Sequence, residues 1–252
     1  MMGNLLGFAV VLKPVQRWCA LVLLPFVFSV TAQEEPRFDY LQRAKEGIAR
    51  VDATDVNTNW YFTLAIQSGD EGSLVAHDPT STPESQRTLL KVLGKDPTEA
   101  QLRDFRQEEQ KRLAEEAERG GPLTLARMVD PDSLELEGIE DGRAVVSFTP
   151  RMDQLDDSGE KLAAELWLDA GSGELLGWQV RNTDKLKPAF SVTLKDYQLE
   201  ITYERRGEAL LPVRMSNVVR GTAGFMAQFD RTTVIEFGDY RPLDAEPPTA
   251  VD

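Results

Sequence analysis

Cysteine and histidine are almost missing from this 252-residue chain: there is one of each, Cys19 and His77. A single cysteine excludes an intrachain disulfide, so stability has to come from a packed core. A single histidine excludes every multi-histidine metal site. No serine stands in a G-x-S-x-G context, and neither a Walker A loop nor a G-x-G-x-x-G turn occurs, so no cofactor is expected. Basic residues are also scarce, 28 against 42 acidic, for a net charge of −14. Such an excess repels nucleic acid and anionic lipid surfaces, and nucleic-acid binding is set aside.

Long apolar runs are lacking too. The longest, Trp18 to Val30, is about 13 residues, well short of the ~20 that span a bilayer as a helix. Lys13 and Arg17 precede it, no acid occurs before Glu34, and Val30-Thr31-Ala32 places small residues where a signal peptidase reads. These features predict a secretory signal over residues 1–32, cleaved after Ala32. The alternative is an uncleaved anchor, against which stand Pro25 and the switch to "QEEPR". Cys19 precedes the apolar stretch, so it does not look like a lipidation site, and it leaves with the signal. A periplasmic protein with no stable membrane anchor is expected. Without Lys13 and Arg17 it holds 26 basic and 42 acidic residues, net −16.

In what remains, "FDYLQRAKEGIARV" (38–51) has helical spacing. "NWYFTLAI" (59–66) alternates as a strand with Trp60, Phe62, Leu64 and Ile66 on one face. "SLVAHDP" (73–79) and "RTLLKVLG" (87–94) are shorter strands. "DPTEAQLRDFRQEEQKRLAEEAERGGP" (96–122) predicts a helix capped at Asp96, with Pro97 in its first turn, Glu99 at the capping-box position and Gly120-Gly121-Pro122 as its stop. Its sparse apolar stripe, Leu102, Phe105, Leu113 and Ala117, suits a helix lying on a surface or across an opening. From Ser133 onward, strands alternate with turns: the hairpins around "EDG" and "AGSG", then 189–205, 208–221 and 224–240. Pro212 has to sit at an edge or a bulge. The last residues, 242–252, have nothing to bury and are expected to be disordered. No repeat and no domain boundary interrupts 33–241, which reads as one domain.

Residues able to do chemistry are few. His77 stands at a strand end, where a structural role is the simpler reading. Asp153, Asp156 and Asp157 in "RMDQLDDSGEK" only loosely match calcium-ligand spacing or an acid–base pair, and acids in such a loop are most simply solvated. No catalytic residue and no metal ligand is assigned, and a non-enzyme is expected, a hydrolase using Asp153 or Asp157 being a distant third reading.

The informative surplus is apolar. In "ELWLD" and "LLGWQV", large residues fall on both faces of a strand. Gly177, opposite the tryptophans, leaves room for close approach or sheet bending. The simple reading has helices covering both faces; the sharper one has a sheet wrapped around an apolar cavity.

The order of elements, with "ELWLDAGSGELLGWQV", "GEALLPVRMSNVVRG" and the closing "TTVIEFGDYRPL", resembles the periplasmic lipoprotein-carrier (LolA/LolB-like) superfamily. The resemblance covers roughly 38–241 by order of elements and 165–241 by motif. It implies an α+β fold: a strongly curved antiparallel sheet, an incomplete β-barrel, with a few helices packed on or across its opening. It also implies an apolar side that takes lipid or acyl chains. The segment 87–112 departs from the shorter carriers, and none of their ligand-binding residues maps onto a position here. The expected function is therefore a soluble periplasmic binding or carrier protein for a lipid or acylated lipoprotein. Its cavity is expected to be lined by Trp60, Phe62, Leu64, Trp167, Trp178, Phe190, Phe225 and Phe229, with the 96–119 helix as a lid. The alternative is an envelope protein–protein interaction or regulatory module with a filled core and no ligand.

Overall fold

Asp39 sets the first element by accepting a hydrogen bond on its carboxylate from the Gln42 amide at 3.0 Å, an N-cap that starts helix α1, Tyr40–Thr54. The computed structural model describes residues 38–121, 124–151, 159–224 and 227–244. The expected signal segment, the acidic loop at 153–157, Phe225 and the tail from 245 lie outside them. Tyr40, Ala44, Gly47 and Ile48 recur at helical spacing and are buried. Gly47 is required for contact: a Cβ there would stand 2.7 Å from Leu175 Cβ. Thr54 closes the helix from inside, its hydroxyl donating to Arg50 O at 2.8 Å and accepting from Leu210 N at 3.1 Å. Asp55, at φ 36°, then turns the chain into the single turn α2, Val56–Asn59.

Eleven strands follow: β1 Trp60–Ser68, β2 Glu71–His77, β3 Arg87–Val92, β4 Glu135–Glu140, β5 Arg143–Phe148, β6 Leu162–Asp169, β7 Leu175–Asn182, β8 Leu186–Ala189, β9 Val192–Arg206, β10 Ala209–Ala223 and β11 Ala227–Pro242. They form one antiparallel sheet in the order β3-β2-β1-β11-β10-β9-β7-β6-β5-β4, with β8 beside β9. The fold class is α+β as expected, and the sheet is open, with β3 and β4 at its two ends. The connection that unites it is β1 with β11, Ile66 opposite Ile235, which joins the start of the described chain to its end.

One cross-strand row defines the inner face: Leu136, Val146, Leu166, Trp178, Ile201, Met215, Ile235 and Ile66 stand opposite one another in succession. Two apolar clusters lie on this face. The first joins α1 and the short helix α4, Leu125–Met128, to β5, β6, β7, β9 and, through Leu210, the start of β10, around Leu166, Leu168 and Trp178. The second joins Phe62, Leu64, Val75 and Leu89 to Leu102 and Phe105 of helix α3, Glu99–Glu118. Both large helices thus serve the same face, not both faces. The outer face is polar in its middle, where Gln179 donates to Glu165 at 2.6 Å and Gln198 donates to Gln179 at 3.3 Å.

Three irregularities follow from residue type. Pro212 sits at a bulge between β9 and β10, as its missing N–H requires, and its carbonyl accepts the Tyr240 hydroxyl at 2.6 Å. Gly177 pairs with Trp167, and a Cβ on it would meet Ile201 O at 2.5 Å and Trp167 Cε3 at 3.3 Å. Phe190-Ser191 break the expected 189–205 strand into β8 and β9. The cap of helix α3 lies two residues after the expected one: Thr98 and Gln101 make the capping box, and Asp96 instead pairs with Lys91 at 2.7 Å. Pairing at the far end of β11 runs through Pro242, and Leu243 N donates to Asn59 O at 2.8 Å. No described helix is long and apolar enough to cross a membrane.

Candidate functional site

The inner face is covered at both ends and less so in the middle. On β10 the inward residues Met215, Asn217 and Val219 belong to neither apolar cluster and are only half-buried. Their cross-strand neighbours are Ile201, Leu199 and Tyr197 on β9 and Ile235 and Thr233 on β11, all half-buried too, with Arg231 opposite Val219 exposed. Tyr197, Leu199 and Ile201 pack at the edge of the first cluster and Ile235 and Ile66 at the edge of the second, so the apolar seam is the strip of β10 between them, bounded on β1 by Ile66 and Ser68.

Polar groups enter the seam at one level. Leu199, Asn217, Thr233 and Ser68 lie in one cross-strand row, and the Thr233 hydroxyl donates to the Ser68 hydroxyl at 3.3 Å. The Asn217 side-chain Oδ1 is buried and has no hydrogen-bond partner among the described residues. An amide acceptor left so costs about 1–3 kcal/mol. Burial pushes up the pKa of the Tyr197 hydroxyl, beside this row. The seam can therefore take an apolar chain along Ile201, Met215 and Ile235 and offer one acceptor to a hydroxyl or amide donor.

The eight residues expected to line a cavity are dispersed. Phe62 and Leu64, each 2% exposed, are packed under α3, and Trp178, also 2% exposed, is packed in the first cluster. The Trp178 Nε1–H donates to Tyr203 Oη at 3.0 Å, and burial pushes the Tyr203 phenol up to about 12 against the pull of that donor. Trp60 stacks edge-on against Tyr240, 6.1 Å between centroids, and walls an open cleft of about 600 Å³ with Arg50, Thr54, Glu208 and Leu243. Trp167 points to the outer face, its Nε1–H donating to Glu165 at 2.8 Å. Phe229 alone lies beside the seam, its ring across Gly221 where a Cβ would meet it at 2.7 Å. Phe190 is fully exposed, and Phe225 is outside the described residues. Helix α3 covers the second cluster, not the seam.

His77 occupies a structural position. It is buried, stacked on Phe62 at 4.5 Å between centroids, and its Nε2 lies 2.8 Å from Asn57 O, the distance of an N–H donating to a carbonyl. Burial holds its pKa below the usual imidazole range, and the positive Arg87 and Arg112 add to this. Both arginines belong to a network through which α3 grips β3: Glu109 contacts Arg87 at 3.5 Å and Arg112 at 2.8 Å, and Arg112 reaches Glu116 at 2.7 Å. Among the described residues no group of three or more histidine, cysteine or acidic side chains is placed to hold a metal ion.

Sequence reasoning missed the seam because it weighed aromatics and passed over "RMSNVVR". The available signal was Asn217 between Met215 and Val219 in period-two register, a polar residue at an inward position.

No family model matches the chain, and no curated protein matches it. A crystal structure of a DUF1329 family protein from Desulfovibrio piger aligns over 83% of this chain and 96% of that chain, at 13% identity and a TM-score of 0.31. A likeness of that size carries no conclusion about this chain.

Proposed function

We propose that this chain is a binding or carrier protein of the bacterial periplasm whose ligand, a lipid or the acyl chain of a lipoprotein, lies in the seam on β9, β10 and β11. The observation that carries the reading is the inward face of β10: Met215 and Val219 half-buried outside both clusters, with the unmet Asn217 Oδ1 between them. Burying an acyl chain there contributes about 0.8 kcal/mol per methylene, and a head-group donor to Asn217 adds about 1 kcal/mol. The apolar term is insensitive to chain identity, so Asn217 sets what selectivity exists. The resemblance of the sequence to the lipoprotein carriers supports the same reading, as does the predicted secretory signal.

The test is a titration with a fluorescent fatty acid. Saturable binding is expected, weakened at least tenfold by Met215→Asp and about fivefold by Asn217→Ala. The outer-face substitution Trp167→Ala should leave the affinity unchanged. Equal affinity of all four proteins would refute the site. The packing of Phe62, Leu64 and Trp178 inside filled clusters favours one alternative, an interaction module without a ligand, for which no saturable binding is expected.

A further inference from the structure

Phe190 stands at the apex of the two-residue turn between β8 and β9, where Ala189 pairs with Val192. Such turns are ordinarily built from glycine, asparagine or aspartate for backbone reasons. Here a phenylalanine takes the place, with a relative exposure of 109%, while Leu186 at the base of the hairpin is 0% exposed. The tip is held in position by its root and by Gly224 N, which donates to Ser191 O at 2.7 Å. Lys187 on β8, and Lys185 and Lys195 at the root of the hairpin, are exposed, and their ammonium groups make no ion pair or hydrogen bond among the described residues. Residues 181–196 and 220–231 carry six basic side chains against three acidic ones, in a chain whose net charge is −14.

We propose that this hairpin tip docks the protein on an anionic lipid surface, with Phe190 entering the interfacial layer and Lys185 and Lys187 meeting phosphate headgroups. The overall negative charge opposes such docking only weakly, because charges more than about 8–10 Å away are screened at physiological salt and the tip presents its own local excess of cations. A lone exposed aromatic with Lys187, Pro188 and Ser191 as its polar and small neighbours in sequence suits headgroups better than a protein partner. A stable protein interface needs about 800 Å² from each side around an apolar centre. The proposal is independent of the ligand seam.

Cosedimentation with phosphatidylcholine vesicles, with and without phosphatidylglycerol, tests it at low and high salt, using protein expressed from the full sequence. Parent and variants share the same N-terminal segment, so differences between them report on the tip. The parent should sediment with the anionic vesicles, less so at high salt, and much less with the neutral ones. Each lysine near an anionic surface is worth about fivefold, so Lys185→Glu/Lys187→Glu should weaken binding more than about 20-fold. Phe190→Ser should weaken it about tenfold. Both variants alter exposed side chains and should melt as the parent does. Failure of the parent to sediment, or unchanged sedimentation of both variants, overturns the proposal. Capture of an envelope protein that Phe190→Ser abolishes, without any vesicle binding, would assign the tip to a protein partner and overturn it as well.

Discussion

Substituting Gly177 by alanine tests the packing of the central sheet with one atom. The backbone there is not in the left-handed region, so alanine is conformationally allowed and gains about 0.4–1 kcal/mol by restricting the unfolded chain. The new Cβ, however, would stand 2.5 Å from Ile201 O and 3.2 Å from Thr202 Cα, both backbone atoms of β9, and 3.3 Å from the Trp167 ring. The ring can move, but the strand cannot without straining its pairing with β7. Overpacking of this kind costs about 1–3 kcal/mol or more, leaving a net loss of about 1–2 kcal/mol. For a domain of this size that lowers Tm by about 2–8 °C. Gly138 in β4 is the control: its backbone is equally permissive and nothing lies within 4 Å of an added Cβ. Gly138→Ala should therefore leave Tm unchanged or raise it by about 1–3 °C. Calorimetry on both variants decides the matter. Equal melting of Gly177→Ala and Gly138→Ala would refute the argument that close strand approach fixes Gly177.

Other expectations concern the α3 end. The folded imidazole of His77 titrates below 6.5, mainly through burial. As pH falls below about 6.5, the unfolded chain therefore binds a proton that the folded one does not, and stability drops. His77→Gln should flatten the fall in Tm as pH drops below about 6.5 and leave the slope above pH 7 unchanged; parallel curves throughout would contradict this. Glu109, 13% exposed, holds Arg87 and Arg112 together. Its replacement by alanine leaves two guanidinium groups less compensated and should cost about 2 kcal/mol, read as a lower urea midpoint with faster proteolysis within α3. An unchanged midpoint would mean that the network is decorative.

Period-two alternation made most strands legible. "NWYFTLAI" placed Phe62 and Leu64 inward, and Gly177 and Pro212 announced a close approach and a bulge through their own chemistry. Helix α1 was legible from its apolar spacing. What alternation could not supply is pairing between strands distant in sequence. The β1–β11 contact brings Ile66 to Ile235 and so decides that β10 lies mid-sheet, between the two helix-covered ends. Register decided the rest: Trp167 and Trp178 look equivalent in the sequence, yet one faces the polar outer surface and the other the core. Phe190 was read as part of a long strand because alternation continues through it, whereas the chain turns there. The candidate seam combines three strands, and only Phe229 among the aromatics chosen from the sequence adjoins it. Capping was misplaced by two residues because Asp96 and Thr98 are both good caps, and the reciprocal bond between Thr98 and Gln101 won over Asp96, which is held by Lys91.

The central claim, that the seam on β10 holds an apolar ligand, is tested most directly by native mass spectrometry of the protein purified from its native cells, followed by lipid extraction. The account predicts a lipid or acylated peptide at fixed stoichiometry that is lost in Met215→Asp. A clean apo mass that does not change when lipids are added would contradict it.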